Sequence, residues 1–296
     1  MTNTNTSLIT PLPDWSLIRV SGPDAGSFLH NLLTNNISSL KTGEHHLSGF
    51  CSPKGRLLAS FWVSHPQSDV YELWISTDLA SEFTKKLAMY RLRSKVDITL
   101  VVVKVYGQYS ETSIAPIEGS IQLPAVSFNN RLYQRQIFAS EEIIPGADHS
   151  LWNILEVQSG IPRITQATKD LFVPQMVNFE SVGGIDFKKG CYPGQEVVAR
   201  SQYLGTIKRR LKIGSIHINQ NQAQHIGPGT EIFSVKDPEQ SCGIVILMSE
   251  NPINKRYDFQ VEMKLNEIGD QIYFQALKDE NNWITIEEPP YQLINI

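Results

Sequence analysis

Cysteine is scarce in this chain: Cys51, Cys191 and Cys242 are the three among 296 residues. Three scattered thiols do not make a disulfide framework, and their scarcity fits a reducing compartment. Their spacing gives no support to an iron-sulfur cluster held by the chain itself. There is no CxxC pair, no HExxH and no clustered histidine, so neither a structural zinc site nor a zinc hydrolase is expected. Neither a P-loop nor a GxGxxG after a strand occurs, and nucleotide hydrolysis and dinucleotide redox chemistry drop out with them. The first ten residues carry no basic leader and no long apolar run, so the expectation is a cytoplasmic protein without a signal peptide or membrane span. Basic charge is not in excess: 26 Lys and Arg stand against 30 Asp and Glu, a net charge of -4. A chain basic throughout that coats nucleic acid is thereby disfavoured, while local basic patches remain open.

What is present reads as a soluble α+β protein. A composition of 41% hydrophobic and 19% charged residues is ordinary for a globular chain, and this length buries a large core in two or three domains. Residues 15–20 read as a strand, and Gly22-Pro23 opens a helix with Phe28, Leu29, Leu32 and Leu33 on one face. Pro53, Lys54, Gly55 and Arg56 form a tight basic loop between two strands of a hairpin. A strand over 69–76 leads to a helix capped by Asp78, whose buried face carries Leu79, Phe83, Leu87 and Tyr90. Lys85, Lys86, Arg91, Arg93 and Lys95 gather around its end, where cations suit the helix dipole. One strand is expected over 97–106, weak signal over 107–124, and another strand over 130–139. Asp148 or Ser150 caps a helix bearing Trp152, Leu155 and Gln158, which Gly160 and Pro162 end. Trp15 and Trp152 read from pattern alone as core aromatics, and Glu180 as a surface carboxylate. Beyond Arg200 short apolar runs recur with Gly, Asn or Pro between them, the texture of a small antiparallel barrel or sandwich. The boundary falls near residue 206, dividing the chain into 1–205 and 206–296. Lys208, Arg209, Arg210 and Lys212 stand at that boundary as a solvated face or a phosphate-binding run.

The densest signal lies between Gly183 and Arg200. Gly183, Gly184, Gly190 and Gly194 with Pro193 demand tight turns, and Gln195 to Ala199 look like the first turns of a helix opening at the proline. Cys191 then lies just before a helix N-terminus with Lys188 and Lys189 beside it, a setting that stabilises a thiolate. The same amide-rich turn suits a bound anion, and sequence leaves both readings open.

The run Lys189-Gly190-Cys191-Tyr192-Pro193-Gly194-Gln195-Glu196 resembles the K-G-C-Y-x-G-Q-E signature of the YgfZ family. These are folate-binding proteins related in fold to the aminomethyltransferase (T-protein) of the glycine cleavage system. The resemblance extends through Cys51-Ser52-Pro53-Lys54-Gly55-Arg56, Gly160-Ile161-Pro162, Pro174-Gln175-Met176, Val198-Ala199-Arg200 and Lys208-Arg209-Arg210, and covers nearly the whole chain. It implies two interleaved α+β modules closed into a ring by a C-terminal antiparallel β-barrel. It further implies a tetrahydrofolate cavity lined by Trp15, Trp152 and the Cys191 turn, with Lys54 and Arg56 as loop contacts. The implied role is support of iron-sulfur enzymes, such as a tRNA methylthiolating enzyme, and of tRNA modification, with Cys191 as a working thiol. T-proteins carry an aspartate on the strand after the basic loop, where this chain has Ala59 and Ser60. Neither ionises at neutral pH, so aminomethyl transfer is not expected although folate binding is. A folate-dependent one-carbon transferase and a tRNA-binding module using 208–212 and the 85–95 cluster are the alternatives.

Overall fold

The architecture is taken from a computed structural model, which describes residues 7–280 and 282–294. The chain begins with β1 (Leu8–Pro11) and β2 (Trp15–Ser21), then α1 (Ala25–His30), the hairpin β3 (His45–Cys51) and β4 (Leu57–Gln67), β5 (Val70–Ser76) and α2 (Thr77–Tyr90). Next come β6 (Asp97–Val101), β7 (Lys104–Ser110), β8 (Ile121–Phe128), β9 (Arg131–Ser140), α3 (Ser150–Gln158) and α4 (Gln195–Tyr203). The C-terminal part holds β10 (Arg209–Ile216), α5 (Gln220–Ala223), β11 (Glu231–Ser234), β12 (Asp237–Glu250), β13 (Tyr257–Lys264), β14 (Ile272–Phe274) and β15 (Thr285–Glu287).

These strands make three antiparallel sheets, ordered β3-β4-β5-β2-β6, β1-β7-β9-β8 and β14-β11-β12-β13-β10-β15. The first two sheets share the chain in alternation, because β1 joins the sheet of β7 to β9 while β2 to β6 build the other. The strand expected over 97–106 is in fact two. β6 pairs with β2 and β7 with β9, and the chain crosses between sheets at Val102, which is 96% exposed. An unbroken valine run reads as one strand because period alone does not show a change of partner. The weak stretch 107–124 likewise holds the end of β7 and the start of β8.

Leu79, Ala80, Phe83 and Leu87 of α2 are buried as their spacing requires. Tyr90 departs from that face: it is partly exposed and meets Phe50 edge-on at 5.7 Å. Asp78 does not cap this helix, whose N-cap is Ser76; its carboxylate accepts from Gln166 N at 2.8 Å instead. The C-terminal sheet is curled, and its outer strands meet through one bridge, Ile284 N donating to Ile272 O at 2.8 Å. Its inner face has a small core of its own around Phe259, Val261, Met263 and Phe274. Leu211, Ile213, Ile246 and Leu247 instead join the large core of the other two sheets.

α3 is clamped from the C-terminal side. Gln260 Nε2 donates to the carbonyls of Glu156, Val157 and Ile161 at 3.0 to 3.2 Å, and Gln158 Nε2 to Asp258 Oδ2 at 2.9 Å. The last carbonyls of a helix lack partners inside it, and here a distant side chain supplies one. Among the described residues no helix is long and apolar enough to cross a membrane.

Candidate functional site

The two sequence motifs that stand 140 residues apart meet in space through their glycines. Gly55 and Gly194 both adopt positive φ, at 71° and 80°, a region that side chains other than glycine enter at a cost. A methyl group on Gly194 would lie 2.3 Å from the Ser52 carbonyl oxygen, and one on Gly55 would lie 2.7 Å from Val197 Cβ. The basic hairpin loop and the motif turn therefore touch backbone to backbone. Gly194 is the N-cap of α4, which starts at Gln195 rather than at Pro193. Cys191 lies three residues before that cap and is exposed. Gly190 differs from Gly194: an added methyl there would meet only His30 Nε2, at an ordinary 3.7 Å.

The residues around the thiol divide into braces and open groups. Tyr192 is buried, its hydroxyl pushed above the usual phenol range by burial and by Cys51. Lys189 is also buried and does not hang free beside the thiol: its Nζ donates to the carbonyls of His30 and Leu33, and stands 5.1 Å over the Tyr192 ring. Burial pulls this ammonium down to about 8, while Asp186 and Cys191 work in the other direction. The preceding turn is stitched to the segment after α1, with Thr34 Oγ1 donating to Gly184 O at 2.6 Å and Asn35 Nδ2 to Gly183 O at 2.8 Å. Lys54, Lys188, Glu196 and Arg200 are exposed. Gln195 is half-buried, and Arg56 donates to Leu171 O. The other thiols are out of reach: burial pushes Cys51 up to about 12, and burial with Glu267 pushes Cys242 up to about 11.

A second constellation sits around the two indoles. Trp15 and Trp152 are 8% and 0% exposed, and the indole N–H of each is buried without a hydrogen-bond partner. Each ring carries a guanidinium, Arg163 5.2 Å from the Trp15 centroid and Arg135 5.7 Å from that of Trp152. A cavity of about 30 Å³ lies between them, lined among others by Trp15, Ser60, Trp62, Arg135, Glu156 and Arg163. Trp152 stands behind Arg135, and the motif turn does not reach this cavity. Glu156 pairs with Arg163, Nε to Oε1 at 3.3 Å. Ser60 has its hydroxyl committed, donating to Pro162 O at 3.1 Å and accepting from Ile164 N at 2.9 Å. Arg135, Glu156 and Arg163 carry no signal in the sequence that separates them from surface charges; only their burial and convergence mark them.

The basic run at the boundary is not a free cationic patch. Arg209 pairs with Glu262, Arg210 with Glu180 and Lys212 with Glu288, which leaves Lys208 exposed. Glu180 is accordingly no surface carboxylate: it is 3% exposed, and its partner also donates to Gln175 O at 3.0 Å. A surface reading fails here because the carboxylates that neutralise the run come from elsewhere in the chain. Among the described residues no three His, Cys, Asp or Glu side chains gather to hold a metal ion.

The three-sheet architecture is that of the aminomethyltransferases. It matches the glycine cleavage system aminomethyltransferase T of Bartonella henselae with a TM-score of 0.61, over 97% of this chain and 86% of that one, at 12% identity. No protein-family model matches the chain. In sequence it is 30% identical over 222 residues to a protein of Vibrio vulnificus named tRNA-modifying protein YgfZ, covering 69% of this chain and 68% of that one. It is 31% identical to the Edwardsiella ictaluri protein of the same name, covering 68% of each. A third of that name, from Photorhabdus laumondii, is 25% identical with 95% and 92% covered. The chain belongs to the YgfZ family.

Proposed function

We propose that this protein binds a tetrahydrofolate in the cavity against Trp15, with Trp152 behind Arg135, and supports tRNA modification in the cytoplasm, serving iron-sulfur enzymes through Cys191. The observation that carries the reading is the contact of Gly55 with Gly194 and Val197. It fixes the turn, in which Cys191, alone of the three cysteines, is open to a partner. The names of the relatives support the tRNA side of the reading, and flat indoles suit a pterin ring. Turnover of the folate is disfavoured, because where T-proteins hold a carboxylate this chain has Ala59 and Ser60, neither of which ionises at neutral pH, and the Ser60 hydroxyl already serves two backbone groups. Release of product from methylene-tetrahydrofolate by the purified protein would reverse that judgement.

Cys191→Ala tests the thiol. The variant should keep the wild-type melting temperature and folate titration, yet fail to restore tRNA methylthiolation in cells lacking the protein. Full restoration would remove Cys191 from the function. Contact with tRNA, on this reading, uses the exposed cations in and beside the motifs, Lys54, Lys188, Arg200 and Lys208, rather than the paired run 209–212. Salt-sensitive tRNA binding that survives Lys54/Arg200→Ala would refute that placement.

A further inference from the structure

Charge does not balance inside the tryptophan cavity. Arg135, on β9, is 2% exposed, and its Nε and Nη2 share one acceptor, Pro124 O at 3.4 and 3.1 Å. That carbonyl turns inward where the β8–β9 register shifts between Leu123 and Val126. No carboxylate stands within ion-pair distance of Arg135 among the described residues. Glu156 is near enough to favour its charge, but is taken by Arg163, whose Nη2 donates to its Oε2 at 3.4 Å and whose Nε stands 3.3 Å from its Oε1. Burial pulls the Arg135 guanidinium down to about 10, so it stays a cation at neutral pH. Two guanidiniums and one carboxylate thus leave a surplus positive charge beside the buried Arg135, a costly arrangement unless a ligand completes it. Packing on Trp152 and the bond to Pro124 account for part of this side chain, and Nη1 is left over for the cavity.

We propose that Arg135 is the recognition residue of this cavity, donating to the ring carbonyl oxygen of a bound pterin while Glu156 accepts from the adjacent ring N–H and amino group. This rests on the folate reading given above. The cavity as it stands holds little more than a water molecule, and Arg163 lies on the Trp15 face that a ring would take. Binding therefore moves Arg163 off both Trp15 and Glu156, which frees the carboxylate for the ligand edge.

The test compares tetrahydrofolate with tetrahydroaminopterin, in which an amino group replaces the ring carbonyl, setting donor against donor at Arg135, and the ring N–H offered to Glu156 is lost. Tryptophan fluorescence titration of the wild type should show the analogue binding about tenfold to a hundredfold more weakly, the scale of one hydrogen bond to a charged group. Arg135→Met should lose the Arg135 part of the discrimination and keep only what Glu156 contributes, while Arg135→Lys should keep more of it than Arg135→Met. A merely structural arginine would weaken both ligands equally. Equal binding by the wild type, or unchanged discrimination in Arg135→Met, overturns the proposal and leaves the folate reading standing. A wild type that binds neither compound overturns both.

Discussion

At the motif turn the glycines are inside and most of the charges outside: Gly55 and Gly194 meet backbone to backbone, and Lys54, Lys188, Glu196 and Arg200 face solvent. Around the tryptophans the order is reversed, with Arg135, Glu156 and Arg163 folded in beneath the indoles. The turn is held chiefly by the close approach of its glycines, with Cys191 left exposed. The cavity is held by an incomplete set of charges, so its state depends on what fills it. Shape-held and charge-held sites respond to different perturbations, and four substitutions separate them.

The largest effect is expected at the balanced buried pair that contrasts with Arg135. Glu180→Ala leaves Arg210 buried without its carboxylate and should cost about 3 to 5 kcal/mol in urea unfolding. Arg135→Met removes a cation that has no carboxylate within ion-pair distance and should cost about 1 kcal/mol or less. Equal losses at the two sites would mean that the cavity charge is already compensated. Next, Gly194→Ala should lose about 2 to 4 kcal/mol, since the added methyl meets the Ser52 carbonyl at positive φ. Gly190→Ala should stay within about 0.5 kcal/mol, because the added methyl meets only His30 Nε2 at an ordinary contact distance. A Gly190 variant that is stable but inactive would place a ligand or partner at that backbone.

A smaller effect is readable by pH. Burial, then His45 and Lys189, pulls His46 down to about 4, and its Nε2 is buried without a partner. The unfolded chain binds this proton near pH 6.5 and the folded one only near 4. Stability from His46 is therefore complete above pH 6.5 and declines as the pH falls through 4. Thermal unfolding of wild type against His46→Leu should differ in acid sensitivity by about 2 kcal/mol across that window. Parallel curves would show that the ring is already charged in the fold.

The turn was legible in the sequence, and the cavity much less so. Glycine and proline spacing announced the hairpin loop and the motif turn because their meaning is local. Phe28 and Leu29, or Leu79, Phe83 and Leu87, likewise declared their faces by period, whereas Leu32 and Leu33 are buried beyond the end of α1, which stops at His30. Charges declare nothing of the kind. Arg209, Arg210 and Lys212 look like one basic face, yet each meets a different carboxylate, 53, 30 and 76 residues away. Arg135 looks like a strand-surface arginine, and only the third dimension buries it. The split at Val102 escaped for the same reason, since the choice between two sheets is made by partners far along the chain.

Gln260 ties the end of α3 to the C-terminal sheet, and Glu156 supplies one of the carbonyls it holds. The carboxylate facing the cavity is thus indexed by a side chain more than a hundred positions downstream. A mutation in β13 that shortens or turns that amide would retune the pocket without touching it, much as a loosened anchor bolt shifts a distant lens. Screens for altered ligand preference should accordingly return substitutions in the last third of the chain.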